Sequence, residues 1–87
     1  MMDSVFDSTS TEYLKSVLSI GGIDLCYLPD NKGVDSYMYQ VLKVVKVKQE
    51  NGNWVDGLCY EGKGGVFVRT LGMFPENKWK FKIGLGG

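Results

Sequence analysis

Eighty-seven residues with zero net charge suit one domain, since single cores usually occupy roughly 50–200 residues and a chain this short buries only about 60–65% of its unfolded surface. A composition that is 44% hydrophobic and 23% charged excludes a disordered tail. The absence of a basic excess argues against a dedicated nucleic-acid-coating role.

The first element is a short helix over about residues 10–20. Thr9 and Glu12 stand at the capping-box spacing, in which hydroxyl and carboxylate satisfy orphaned backbone donors. Leu14, Val17 and Leu18 then make one apolar face. Val5 and Phe6 precede the helix as a staple, and Gly21-Gly22 end it through the left-handed conformation open to glycine.

From Ile23 the period changes to two. Ile23, Leu25 and Tyr27 alternate with Asp24 and Cys26, and the run stops at Pro29-Asp30-Asn31-Lys32-Gly33, a loop built from turn-forming residues. A long strand follows from about Tyr37 to Lys48; its alternation slips at Val44-Val45, which predicts a bulge or sharp bend. Asn51-Gly52 between two apolar runs is a strong hairpin signal. The return strand is Trp54 to Tyr60, Glu61 to Gly65 make a turn, and Val66 to Leu71 a further strand. After a turn at Pro75-Glu76-Asn77, Trp79, Phe81 and Ile83 alternate strictly with Lys78, Lys80 and Lys82, a half-buried strand with a basic outer face. The glycine-rich end, 84–87, is expected to fray.

One helix followed by five short strands is an α+β, mainly β, single domain over 1–87, with the β part at about 23–83. Its expected form is a strongly bent antiparallel sheet or an open SH3-like barrel.

Tyr39-Gln40-Val41-Leu42, a central strand ending in Tyr60, and Phe67-Val68-Arg69 leading to Met73-Phe74 together resemble the small family catalogued as domain of unknown function 1653, seen in bacteria and their phages. The resemblance covers about residues 37–82. It departs from the family pattern at Thr70, where proline is usual, in lacking the basic, histidine-containing opening, and in the added helix. The resemblance implies an SH3-like barrel and carries no established activity.

The chain has no histidine, which removes the commonest general base, the usual zinc ligand and the usual partner of a nucleophilic serine or cysteine. Cys26 and Cys59 are too few for a disulfide scaffold or a four-ligand zinc site, and their apolar neighbours point to buried strand positions. Carboxylates such as Asp56 and Glu61 have no spacing that singles them out for acid–base work. The expectation is therefore no catalytic site, no metal and no cofactor. Gly62-Lys63-Gly64-Gly65 lacks the phosphate-loop spacing and precedes a strand instead of a helix, so it reads as a turn.

Binding residues are easier to nominate. Arg69 is the single arginine, and its planar fork suits a carboxylate or phosphate; the structural alternative is a pairing with Asp56 or Glu61. Lys78, Lys80 and Lys82, extended by Lys43, Lys46 and Lys48, either track an anionic partner or protect a sheet edge from aggregation. Eleven aromatic residues exceed what so small a core requires. Tyr27, Tyr37, Tyr39, Trp54 and Tyr60 lie on or beside loops, where such side chains anchor interfaces.

Residues 1–42 carry a net −4 and residues 43–87 a net +4. This polarity, the aromatic surplus and the phage-associated resemblance favour a non-enzymatic module, encoded by a phage or mobile element, that binds and modulates a host protein, for instance one of a defence system. The alternative is an oligomer that sequesters a signalling nucleotide through Arg69 and a lysine. Single-stranded nucleic-acid binding through lysines and stacked aromatics is the third reading. An acidic opening without a signal-peptide layout, and no apolar run near the ~18 residues of a membrane span, point to the cytoplasm.

Overall fold

The computed structural model describes residues 3–29 and 36–85. Helix α1 (Thr11–Ile20) is followed by strands β1 (Gly21–Tyr27), β2 (Tyr37–Lys48), β3 (Trp54–Gly62), β4 (Gly65–Thr70) and β5 (Trp79–Leu85), with one 3-10 turn at Leu71–Met73. All pairings are antiparallel, in the order β4-β3-β2-β1-β5. The first strand thus bonds both the second and the last, as an open SH3-like sheet requires. The α+β, mainly β expectation holds.

The helix forms where its apolar spacing places it, but a different residue caps it. Ser10 takes the cap, its Oγ accepting from the Tyr13 N–H at 3.1 Å; the expected capping box of Thr9 and Glu12 is one residue out of register. Leu14 and Val17 are buried against the sheet. No left-handed glycine ends the helix. Gly21 is extended, with φ −166°, and starts β1 directly. The Pro29–Gly33 loop lies outside the described residues except for Pro29, as do Gly86 and Gly87. Of the end expected to fray, Gly84 and Leu85 belong to β5.

The bend in β2 comes earlier than the doubled valines suggest. Val41 opposes Tyr60 and Lys43 opposes Cys59, so Leu42 is the extra residue. The insertion switches the inward positions from odd numbers (Tyr39, Val41) to even ones (Val44), and so turns Lys43 out to solvent. The valine pair marks where the new phase becomes visible. At the hairpin tip Gly52 has φ +88°, a conformation that costs glycine nothing, and Gln49 N–H closes the turn on Asn53 O at 2.8 Å. The fourth strand ends at Thr70, one residue before the expected Leu71, because Leu71 begins the 3-10 turn.

The core lies between the helix and the inward face of the sheet. Phe6, Leu14, Val17, Ile23, Leu25, Val41, Leu58, Tyr60, Phe74 and Trp79 make one cluster. The segment before the helix is part of it: Phe6 stacks on Phe81 (4.6 Å between centroids) and meets Phe74 edge-on (5.2 Å). That segment is also pinned as a short strap, with Ser4 bridging Pro75, Val5 N–H on Phe74 O at 2.9 Å and Glu76 N–H on Asp3 O at 2.8 Å. Cys59 is buried as expected; Cys26 is only half-buried, because its position on β1 faces away from the helix, opposite Lys80.

Candidate functional site: an arginine in an aromatic recess

Strand register converts scattered aromatics into one constellation. Trp79 is paired with Tyr27, Tyr27 with Tyr37, and Tyr60 with both Val41 and Phe67. Since directly opposed residues project to the same face, the inward row near one end of the sheet is aromatic across all five strands. Tyr27, Tyr39, Tyr60, Phe67, Trp79 and Arg69 line a recess of about 190 Å3. Ring centroids are 4.8 Å apart for Tyr27–Trp79, 5.9 Å for Tyr39–Trp79 and 5.7 Å for Tyr60–Phe67, within the range of favourable aromatic contacts. Gly62, opposite Tyr39, makes room for its ring: a Cβ there would lie 2.4 Å from Tyr39 Cδ1.

Arg69 enters this recess from β4. Its Nε–H donates to the Tyr60 hydroxyl at 3.1 Å and its Nη1 to the Met73 carbonyl at 3.0 Å, while its Cζ stands 5.3 Å from the centre of the Trp79 ring, a cation–π distance. Among the described residues the ion pairs are Lys15–Glu12 and Lys46–Asp56. Asp56, one of the two partners considered for Arg69, is therefore taken by Lys46, directly opposite it on β2. Glu61, the other, alternates to the outward face, away from Arg69.

The consequence is chemical. Arginine has five N–H donors and no acceptor; two are used on neutral oxygens, which hold the group without cancelling its charge. Tyr60 accepts from Arg69, so its own hydroxyl hydrogen is left to donate. Among the described residues the guanidinium thus keeps unused donors with a positive charge behind them, at the rim of the aromatic recess.

The other nominated residues fall elsewhere. Tyr37, 54% exposed, flanks the recess through Tyr27 (6.3 Å). Trp54, 62% exposed, stands at the opposite end of β3, six positions or about 20 Å from Tyr60. Tyr60 is mid-sheet and buried, not beside a loop. Lys78 donates to Pro29 O at 2.8 Å, a structural contact. Lys80 and Lys82 pair with Cys26 and Asp24 and project from the face opposite Trp79 and Phe81, so lysines and recess aromatics do not form one surface. Trp79 and Phe67, central to the recess, were not nominated from the sequence; their alternation marks them as inward-facing but does not say what they face.

Wider hollows elsewhere, among them one of about 280 Å3 lined by Gly21, Gly22, Ile23, Asp24, Gln40 and Val41, do not concentrate chemistry in this way. One of about 540 Å3 beneath the β2–β3 hairpin mixes Lys48 with Glu50, and one of about 430 Å3 on the outer face runs between Cys26, Met38, Lys80 and Lys82. Among the described residues no group of three or more His, Cys, Asp or Glu stands together as a metal site, and no helix is long and apolar enough to cross a membrane. No family model, curated protein or solved structure matches this chain.

Proposed function

We propose that this chain is a non-enzymatic binding protein that holds a nucleotide-like ligand, an anionic group joined to a flat ring, in the recess around Arg69. The observation that carries the reading is a guanidinium held beside Trp79 by neutral partners, Tyr60 and Met73, with no carboxylate paired to it among the described residues. The site is small against the roughly 300–1,000 Å3 of ordinary ligand pockets. It takes one ring and its charge, while the rest of a larger nucleotide lies outside.

Calorimetric titration with mono- and dinucleotides, on the wild type and on Arg69→Met and Arg69→Lys, tests this. A charge-assisted hydrogen bond contributes about 1.5–3 kcal/mol, so Arg69→Met should weaken binding about 10–150-fold. Arg69→Lys should recover only part, because an ammonium cannot copy the fork. Binding that is indifferent to both changes overturns the reading, as does a full panel without a binder.

A second reading, capture of a host protein by a phage- or mobile-element-encoded chain, draws on a different observation. Strand β4 ends the sheet, and Val66, Phe67 and Val68 are 59%, 40% and 53% exposed, an apolar stretch of edge whose one charged residue, Arg69, turns inward to the recess. Its check is capture from producing cells by the wild type and by Val68→Lys. Capture equal in both rules out β4 as the docking edge. The single-stranded nucleic-acid reading has no such support, since Lys80 and Lys82 face away from the aromatic rings.

A further inference from the structure

The turn that carries the Met73 carbonyl is only lightly held by its own residues. Leu71 packs partly buried against the core, but Leu71–Met73 has no fully buried residue and no side-chain cap, and a Cβ built on Gly72 would touch nothing within 4 Å. Its polar anchor comes from the opposite end of the chain. Ser4, 7% exposed, donates through Oγ to the Leu71 carbonyl and accepts from the Phe6 N–H at 3.2 Å. Asp7 Oδ2 takes the Ser4 N–H at 3.0 Å, and Val5 N–H closes on Phe74 O at 2.9 Å. The strap thus grips the residues at both flanks of Met73, and the buried rings of Phe6 and Phe74 seat both partners in the core.

We infer that the segment Asp3–Asp7 is a positioning strap for the Arg69 site, with Ser4 its positioning residue. The mechanism is serial. Ser4 holds Leu71; the turn then presents the Met73 carbonyl; Met73 holds Arg69 Nη1, and the guanidinium stays on Trp79 with Nε on Tyr60. Releasing Ser4 frees the turn to move, and Arg69 loses one of its two fixed partners. A donor that must be ordered on binding adds its ordering cost to the ligand's. The importance of the strap for ligand affinity rests on the reading of Arg69 given above; its grip on Arg69 does not.

Because the chain has one arginine, its side-chain Nε–Hε resonance is a unique reporter. The experiment compares that resonance, its hydrogen exchange and the affinity for adenosine 5′-monophosphate in the wild type, Ser4→Ala, Ser4→Thr and Asp7→Ala. The last removes the acceptor of the Ser4 N–H from an exposed position, and so keeps the test in reach if Ser4→Ala fails to fold. With the backbone amide spectrum otherwise native, Ser4→Ala and Asp7→Ala should move the Nε–Hε signal toward that of free arginine and speed its exchange. Ser4→Thr should restore it. Nucleotide affinity should fall about 3–10-fold in parallel, the range for one ordinary hydrogen bond. An Arg69 signal unmoved in folded Ser4→Ala or Asp7→Ala overturns the strap. A signal that moves in a protein whose wild type binds no nucleotide overturns the ligand reading and leaves the strap standing.

Discussion

Gly57→Ala is the substitution whose cost the structure specifies best. Gly57 lies in β3 between Val45 and Thr70, buried. A Cβ built on it would stand 2.6 Å from the Arg69 carbonyl oxygen and 2.9 Å from Val47 Cγ2. Ordinary contact begins near 3.4 Å, so about 0.8 Å must be found. The nearer atom is backbone in a paired strand and cannot rotate aside. Overpacking of this kind costs typically about 1–3 kcal/mol, and in a domain of this size each kcal/mol lowers the melting temperature by roughly 4–8 °C; a loss of about 2 kcal/mol is therefore about 8–16 °C. Gly22→Ala is the matched control. It sits in β1, a Cβ there meets nothing within 4 Å, and the reduced freedom of the unfolded chain should stabilise it by about 0.4–1 kcal/mol. Urea denaturation followed by tryptophan fluorescence reads both, since Trp79 is buried in the folded state. If the two variants unfold at the same urea concentration, the close approach of β3 to β4 is not as described and the reasoning fails.

Ser10→Ala should cost about 1 kcal/mol in thermal unfolding and Ser10→Asp should recover most of it, whereas Thr9→Ala should cost less, since its hydroxyl is not the cap; the reverse order would return the cap to Thr9. The Lys46–Asp56 pair, with side chains 65% and 31% exposed, should contribute under about 1 kcal/mol. A double-mutant cycle with Lys46→Met and Asp56→Asn measures that coupling, which should shrink further in 1 M salt.

The order and type of the elements were legible because each rests on a local signal: the 3.6-period face of Leu14 and Val17, the Asn51-Gly52 turn, the strict alternation of Trp79, Phe81 and Ile83. Boundaries were less so. Ser10 and Thr9 are equally good caps in sequence, and only the path of the preceding strap decides between them. The bulge at Leu42 shows in the sequence only two residues later, because an inserted residue leaves no mark until the pattern resumes out of phase. The recess was partly visible. Arg69, Tyr39 and Tyr60 could be nominated by type, but their convergence depends on the register of four strand pairs, which no local pattern encodes. Trp54 is exposed beside a turn, as its sequence position implies, but the same register places it away from the recess. The role of Ser4 was illegible, since its partner Leu71 lies at the far end of the chain.

The wiring of the sheet has a kinetic consequence. Tyr27 belongs to the first strand and Trp79 to the last, and they meet only through the β1–β5 pairing, which closes a loop of about 50 residues. Hairpins such as β2–β3 and β3–β4 close short loops and form early, while long-range pairing carries its entropy cost before any contact repays it. By this reasoning the aromatic recess forms after the hairpins, together with the other long-range closure made by the strap, and any ligand that occupies the recess stabilises the whole domain by mass action.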